Sequence, residues 1–169
     1  MTRRLLLIYF AIWLSDQKSN SDDDLLIELT KLDSISHALT LVRSLPMDVQ
    51  LAKTQVLEKT VEPWPYGIIC CGMTQKQVQL RVESNAALSQ TVLSTTVNLK
   101  QLVVKTGILR LAMTAANLSV KGLNYSVLDD LRQSQLKIPC TFIRVSILTT
   151  KNLPSILADF LLIIHSVAL

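Results

Sequence analysis

Between Leu136 and Asn152 the chain reads LKIPCTFIRVSILTTKN, and its apolar positions alternate by parity. Ile143, Val145 and Ile147 fall on one side; Phe142, Arg144, Ser146 and Leu148 fall on the other. Period 2 with β-branched enrichment predicts a half-buried strand over 141–149. Pro139 stands at its start, where no ladder N–H is needed. The same texture recurs upstream. Val78, Leu80 and Val82 alternate with Gln79, Arg81 and Glu83, and Val97 and Leu99 alternate with Asn98 and Lys100. Lys105-Thr106-Gly107 reads as a hairpin loop, with glycine supplying a positive φ. Leu109, Leu111 and Met113 follow, then Leu118 and Val120. Lys121-Gly122 reads as a turn before a strand over 123–128. Short strands at spacings of roughly ten residues predict a sandwich or barrel-like sheet. Helix is the alternative for Ser84 to Val104, where Ala86, Ala87 and Leu88 favour it.

Three other stretches carry different periods. Ser21 is a good N-cap, and Asp22, Asp23 and Asp24 would offset the positive helix end. Leu25, Leu26, Leu29 and Leu32 then keep helical spacing, which predicts a helix over 22–32. Capping explains the acidic triplet better than a cation, which needs further oxygen ligands. Ser34 to Arg43 fits strand or helix, and Pro46 stops either. Met47 to Lys59 is mixed, with Val49, Ala52 and Val56 on one helical face. At the far end, Pro154 suits a first helical position. Residues 155–169 are apolar on almost every side, so that helix is buried, docked or laid against lipid. His165 near its end meets the negative end of the dipole.

The amino-terminal stretch forks. Arg3 and Arg4 precede an unbroken apolar run from Leu5 to Leu14. That is the form of a secretory signal peptide, or of a fully buried strand ending at Trp13-Leu14. The run is short of the roughly 20 residues that span a bilayer. Pro63 and Pro65 in Glu62-Pro-Trp-Pro-Tyr-Gly67 break the chain, making 62–67 the candidate joint in an otherwise single domain over 1–169.

Composition narrows the functional classes. Of the 169 residues, 49% are hydrophobic and 18% charged, which excludes a disordered chain. Up to Thr60 seven Lys/Arg meet eight Asp/Glu; from Val61 onward ten meet five. The later two-thirds is a basic body suited to anionic lipid or nucleic acid. The three cysteines, Cys70, Cys71 and Cys140, make an odd total that argues against a disulfide framework and suit small buried positions. His37 and His165 have no Cys or acidic partner at metal spacing. Four glycines leave no phosphate-cradling loop, and no Gly-x-Ser-x-Gly or carboxylate pair stands out. These absences do not exclude an enzyme but move the expectation toward a structural or binding protein that is not an enzyme, and no catalytic residue, metal, cofactor or small-molecule substrate is assigned.

The order of segments resembles one known family. Phe10-Ala-Ile-Trp-Leu14 with Asp16-Gln17-Lys18 is similar to the early strand of filovirus and pneumovirus matrix proteins. Asp24 to Asp33 is similar to the Leu-Leu-x-x-Leu helix that follows there. Val78 to Val82 and Pro139 to Lys151 resemble later strands of the same sandwich. The resemblance implies an α+β chain, mainly β, folded as an antiparallel β-sandwich with two or three helices, including a C-terminal apolar helix. It implies a homo-oligomeric structural protein of the virion and the cytoplasmic face of the host membrane, contacting ribonucleoprotein. Lys100, Lys105, Arg110, Lys121, Arg132 and Lys137 are the lipid-or-RNA-binding candidates, each worth about 1 kcal/mol at an anionic surface. Tyr125-Ser-Val-Leu128 has the Tyr-x-x-Leu form of a budding motif.

Two alternatives stand beside it. One is a secreted or lumenal β-protein, cleaved near Ser15 and glycosylated at Asn117-Leu118-Ser119 and Asn124-Tyr125-Ser126. The other is a helical transcription-factor interaction module. It is carried by a similarity of Leu45 to Val61 to the amino-terminal domain of elongation factor TFIIS.

Overall fold

The apolar run near the start is a strand, and it lies inside the sheet. A computed structural model describes residues 4–10, 21–32, 35, 38–46, 48–60, 64–74, 80–98, 100, 110–112 and 118–167. In chain order these give β1 (Arg4–Phe10), α1 (Ser21–Thr30), β2 (Ala38–Leu45), α2 (Val49–Thr60), β3 (Gly67–Thr74), β4 (Arg81–Glu83), β5 (Asn85–Leu88), β6 (Thr91–Ser94), β7 (Arg110–Ala112), α3 (Leu118–Gln133), β8 (Cys140–Ser146) and α4 (Leu153–Val167). Six strands form one sheet in the order β2-β1-β3-β8-β4-β7. β2, β1, β3 and β8 run parallel; β4 is antiparallel to β8 and parallel to β7. β5 and β6 form a separate antiparallel hairpin.

The expected antiparallel sandwich is therefore wrong. The protein is α/β, with one mainly parallel sheet covered on both faces. Parallel strands buried on two sides need near-continuous apolar sequence. Leu5 to Tyr9 and Ile68 to Cys71 supply it, each residue at most 1% exposed. Leu5, Leu7 and Tyr9 face one core with Leu25, Leu26 and Leu29 of α1 and Ile156, Phe160 and Ile163 of α4. Leu6 and Ile8 face the other, with Ala52 and Val56 of α2 and Leu123 and Val127 of α3. The connection through α1 runs from β1 out to β2, and the one through α2 runs from β2 back across β1 to β3, so the two move in opposite directions along the sheet. Right-handed crossovers then place the two helices on opposite faces.

Local signals explain the helices. Ser21 opens α1, ahead of the aspartates. Asp48 caps α2, its Oδ1 accepting from the Leu51 N–H at 2.9 Å. Asn152 closes the turn before α4, its Oδ1 accepting from the Thr149 N–H at 2.7 Å and its Nδ2 donating to the Ile147 carbonyl at 2.9 Å.

Other expectations fail for identifiable reasons. The 121–128 segment is not a turn and strand; it lies within α3. A Cβ on Gly122 would stand 3.1 Å from Val49 Cγ2, so this glycine lets α2 and α3 approach. Residues 85–94 are a hairpin rather than a helix, turning at Ser89 with φ 54°. The 105–107 loop lies outside the described residues.

Two predictions follow from the packing. A Cβ on Gly67 would collide with the Val167 side chain of α4. Gly67→Ala should cost about 1–3 kcal/mol in urea unfolding, and adding Val167→Ala should recover part of that loss. An unchanged midpoint for the single variant would contradict the contact. Asp159 of α4 is buried, and burial raises its pKa. A raised folded pKa means the native state holds the proton more tightly. Its stabilisation is then full below the unfolded value and lost as pH rises through the folded one. Asp159→Asn should be more stable than wild type at neutral pH, with a flatter profile above the unfolded carboxylate pKa.

Candidate functional site

In open α/β sheets, ligands bind outside the carboxyl ends of the strands, where the order reverses. Here the reversal lies between β1 and β3, so the carboxyl edge of β1, β3 and β8 is the place to look. A cavity of about 260 Å³ opens there on the α1/α4 side. It is lined by Asp24, Ile27 and Glu28 of α1, by Leu148, Thr149 and Thr150 of the turn after β8, and by Leu153. α4 starts at that turn, where the Leu153 and Ile156 N–H groups donate to the Thr149 and Asn152 carbonyls at 3.0 Å, and Asp24 and Glu28 bring carboxylates to the lining.

On the α2/α3 side of the same edge the sheet carries charge. Residues paired across strands share a face. Gly72 of β3 pairs with Arg144 of β8, Arg144 with Arg81 of β4, and Arg81 with Arg110 of β7. The neighbouring level holds Cys70, Phe142, Glu83 and Ala112. Arg144 Nε donates to Glu83 Oε1 at 2.5 Å. The pair is buried, its side chains 10% and 1% exposed. Arg144 Nη2, Glu83 Oε2, Arg81 Nε and Ser146 Oγ are buried without a hydrogen-bond partner among the described residues. Thr141 Oγ1 is likewise unpartnered but has the opposite parity. On the β1–β2 side, Arg43 donates to the Tyr9 hydroxyl and sits 5.7 Å from the ring centroid.

None of the three cysteines reaches this edge as a free nucleophile. Cys70, Cys71 and Cys140 are reduced and 0% exposed. A hydrogen bond from Cys70, with burial, raises the Cys140 thiol well above its ordinary value. Thiolate chemistry needs exposure and a depressed pKa, which is the reverse. His165 lies in the last turn of α4, its Nδ1 2.8 Å from the Leu161 carbonyl oxygen. His37 lies outside the described residues.

The basic residues singled out from sequence do not form one surface. Arg132 and Lys137 are exposed and share an apolar groove of about 430 Å³ with Leu128, Leu131, Leu136 and Ile138. That groove lies at the amino end of β8, away from the switch point. Lys100 is exposed between β6 and β7, Lys121 lies in α3, and Lys105 is outside the described residues. Arg110 alone falls on the arginine level. Tyr125 and Leu128 sit in α3, Tyr125 half-buried and Leu128 buried. Asn124 is buried too, and Asn117 is outside the described residues. Arg81, Glu83 and Arg144 were missed as site residues. Their alternation with apolar neighbours looked solvent-facing, and only a charge inside a doubly covered strand would have given them away.

No protein-family model and no curated protein sequence matches the chain. Solved structures do. The fold is similar to that of pyroglutamyl peptidase I from Bacillus amyloliquefaciens, with TM-score 0.83, 15% identity, and coverage of 98% of this chain and 97% of that one. Pyrrolidone carboxyl peptidase from Thermococcus litoralis gives TM-score 0.80, 12% identity, and 97% and 92% coverage. A mutant of the Pyrococcus furiosus enzyme gives 0.78, 18%, and 98% and 97%. The matrix-protein resemblance is overturned: the segment order it rested on belongs to a different fold. With it go the structural-protein, glycoprotein and transcription-module readings, the membrane and ribonucleoprotein partners, and the exclusions of an enzyme and of a small-molecule substrate. The structures sharing this fold are peptidases. Among the described residues no helix is long and apolar enough to cross a membrane.

The buried ion pair is directly testable. Glu83→Gln leaves Arg144 charged and unpaired inside the sheet, and should cost about 3–5 kcal/mol in urea unfolding. The double variant Glu83→Leu with Arg144→Met should recover most of that loss. Fully additive losses would contradict a specific pair.

Proposed function

We propose that this chain acts on short peptides, hydrolysing the amide bond that follows an amino-terminal pyroglutamyl residue at the carboxyl edge of the sheet. One observation carries the reading: likeness to pyroglutamyl peptidase I over nearly the whole of both chains at TM-score 0.83. Folds host several chemistries, so the edge itself has to be suitable. Three features support it. The strand order reverses there, a cavity opens between α1 and the turn before α4, and on the opposite face of the same edge lie buried polar atoms without partners among the described residues. Amide hydrolysis needs donors aimed at the developing oxyanion. At the start of α4 Pro154 has no N–H, the Leu153 and Ile156 N–H groups already donate to the Thr149 and Asn152 carbonyls, and the Thr149 and Asn152 N–H groups donate to each other's side chains, so this helix start supplies no ready oxyanion hole. The reading assigns no role to the cysteines, since all three are 0% exposed.

The test is release of aminomethylcoumarin from its pyroglutamyl amide by the purified chain. Release is expected, and it should survive iodoacetamide applied to the native protein, because the thiols are covered. No release from folded protein would overturn the hydrolytic reading. Loss of activity with alkylation of one cysteine would overturn the exclusion of the thiols.

A further inference from the structure

We propose that the arginine level across β8 and β4 is a carboxylate-binding subsite that holds the free C-terminal carboxylate of a short peptide. The inference rests on the peptide reading above and names the part of the peptide that the edge recognises. Its first support is charge. Arg144, Arg81 and Arg110 occupy adjacent positions on three neighbouring strands. Like charges directly opposite one another destabilise a sheet, so such a row needs a counter-charge. Glu83, one level inward, supplies one negative charge and is bound to Arg144 through Nε. Of the Arg144 and Arg81 charges, one is left over.

The second support is unmet hydrogen bonding. An ordinary structural ion pair would satisfy its own donors, because a buried donor without an acceptor costs about 1–3 kcal/mol. Arg144 Nη2 and Arg81 Nε are both buried and unpartnered, and so is Ser146 Oγ, two residues beyond Arg144 on the same face. Arg144 itself is only 8% exposed. These are donors from separate side chains that meet no acceptor among the described residues, and Glu83 Oε2, one level inward, is left unpartnered as well. A carboxylate fits them because a guanidinium presents parallel N–H groups that match its two oxygens. The third support is room and access. The residue beside Arg144 on β3 is Gly72, which has no side chain to fill the space, and Arg81 is only half-buried, leaving an approach from solvent.

The inner side of the arginine level is apolar, with Phe142 and Cys70 paired at the next level. That selects a compact planar anion over an extended polyanion.

The experiment separates this subsite from hydrolysis by using ligands with no pyroglutamyl bond to cleave. Calorimetric titration of the full chain compares N-acetylalanine, N-acetylalaninamide and inorganic phosphate. N-acetylalanine should bind, and its amide should bind at least about tenfold more weakly, as loss of a charge-assisted contact implies. Arg81→Met should bring the acid down to the level of the amide. Arg81→Lys, which keeps the charge but loses the fork, should fall between them, and it stands in if the methionine variant does not fold. Equal binding of acid and amide to wild type would overturn the proposal. So would binding of phosphate with none of the acid, or an acid affinity unchanged in both Arg81 variants. In a second arm, pyroglutamyl-alanine should show a lower KM than its C-terminal amide, with the difference lost in the Arg81 variant. If no hydrolysis occurs, the titration alone decides the subsite.

Discussion

The structure depends on burying three parallel strands on both faces. β1, β3 and β8 lie side by side in the middle of the sheet, and their backbones are shielded by α1 and α4 on one side and α2 and α3 on the other. Nothing inside such a sandwich of layers can be left wet, so side chains within it must be apolar or matched. The buried middles of β1 and β3 meet this with aliphatic and thiol side chains and the Tyr9 ring. β8 does not: all seven of its residues are buried, yet they include Thr141, Arg144 and Ser146. The Glu83–Arg144 pair makes that composition tolerable, and it ties the short antiparallel β4 to the parallel core.

The same constraint sorts polar chemistry to one end. Strands of this kind bring their carboxyl termini to a common edge, and the loops and helix starts collect there. Charges on β8 and β4 lie at that end, not at the amino end where Ile138 and Pro139 enter the sheet. A buried ion pair contributes little net stability. The pair joins β8 to β4, and the polar atoms left without partners beside it among the described residues mark that strand end as the polar part of the sheet. The cysteines illustrate the converse. They sit where the sheet is driest, and burial keeps Cys140 protonated.

Much of the local structure was legible in the residues, and little of the global arrangement was. The parity of 141–149 gave β8, and Ser21 with its aspartates gave the start of α1. The faces of β8 were also separable: Ile143 and Val145 do share one core, and Phe142 and Arg144 share the other side. What parity could not give was that both sides are covered. Alternation of Arg144 with valine and isoleucine looks the same for a wet face as for a buried ionic one. The partner that decides between them, Glu83, is 61 residues away in sequence. The runs Leu5 to Tyr9 and Ile68 to Cys71 did carry a signal for parallel strands, since unbroken apolar strands need cover on two faces. Counting short strands at even spacing outweighed it and led to a sandwich. Gly122 misled in a similar way, because a glycine that permits close helix packing resembles a turn glycine until its neighbour Val49 is known.

The central claim is that a peptide engages the carboxyl edge of β3 and β8 through the arginines beside it. Backbone amide shifts on titrating pyroglutamyl-alanine into isotope-labelled protein test it most directly. The account predicts perturbations concentrated at Gly72 to Thr74, Arg81 and Arg144 to Ser146. Perturbations confined instead to Leu93, Thr96 and Ile138, at the opposite end of the sheet, would contradict it.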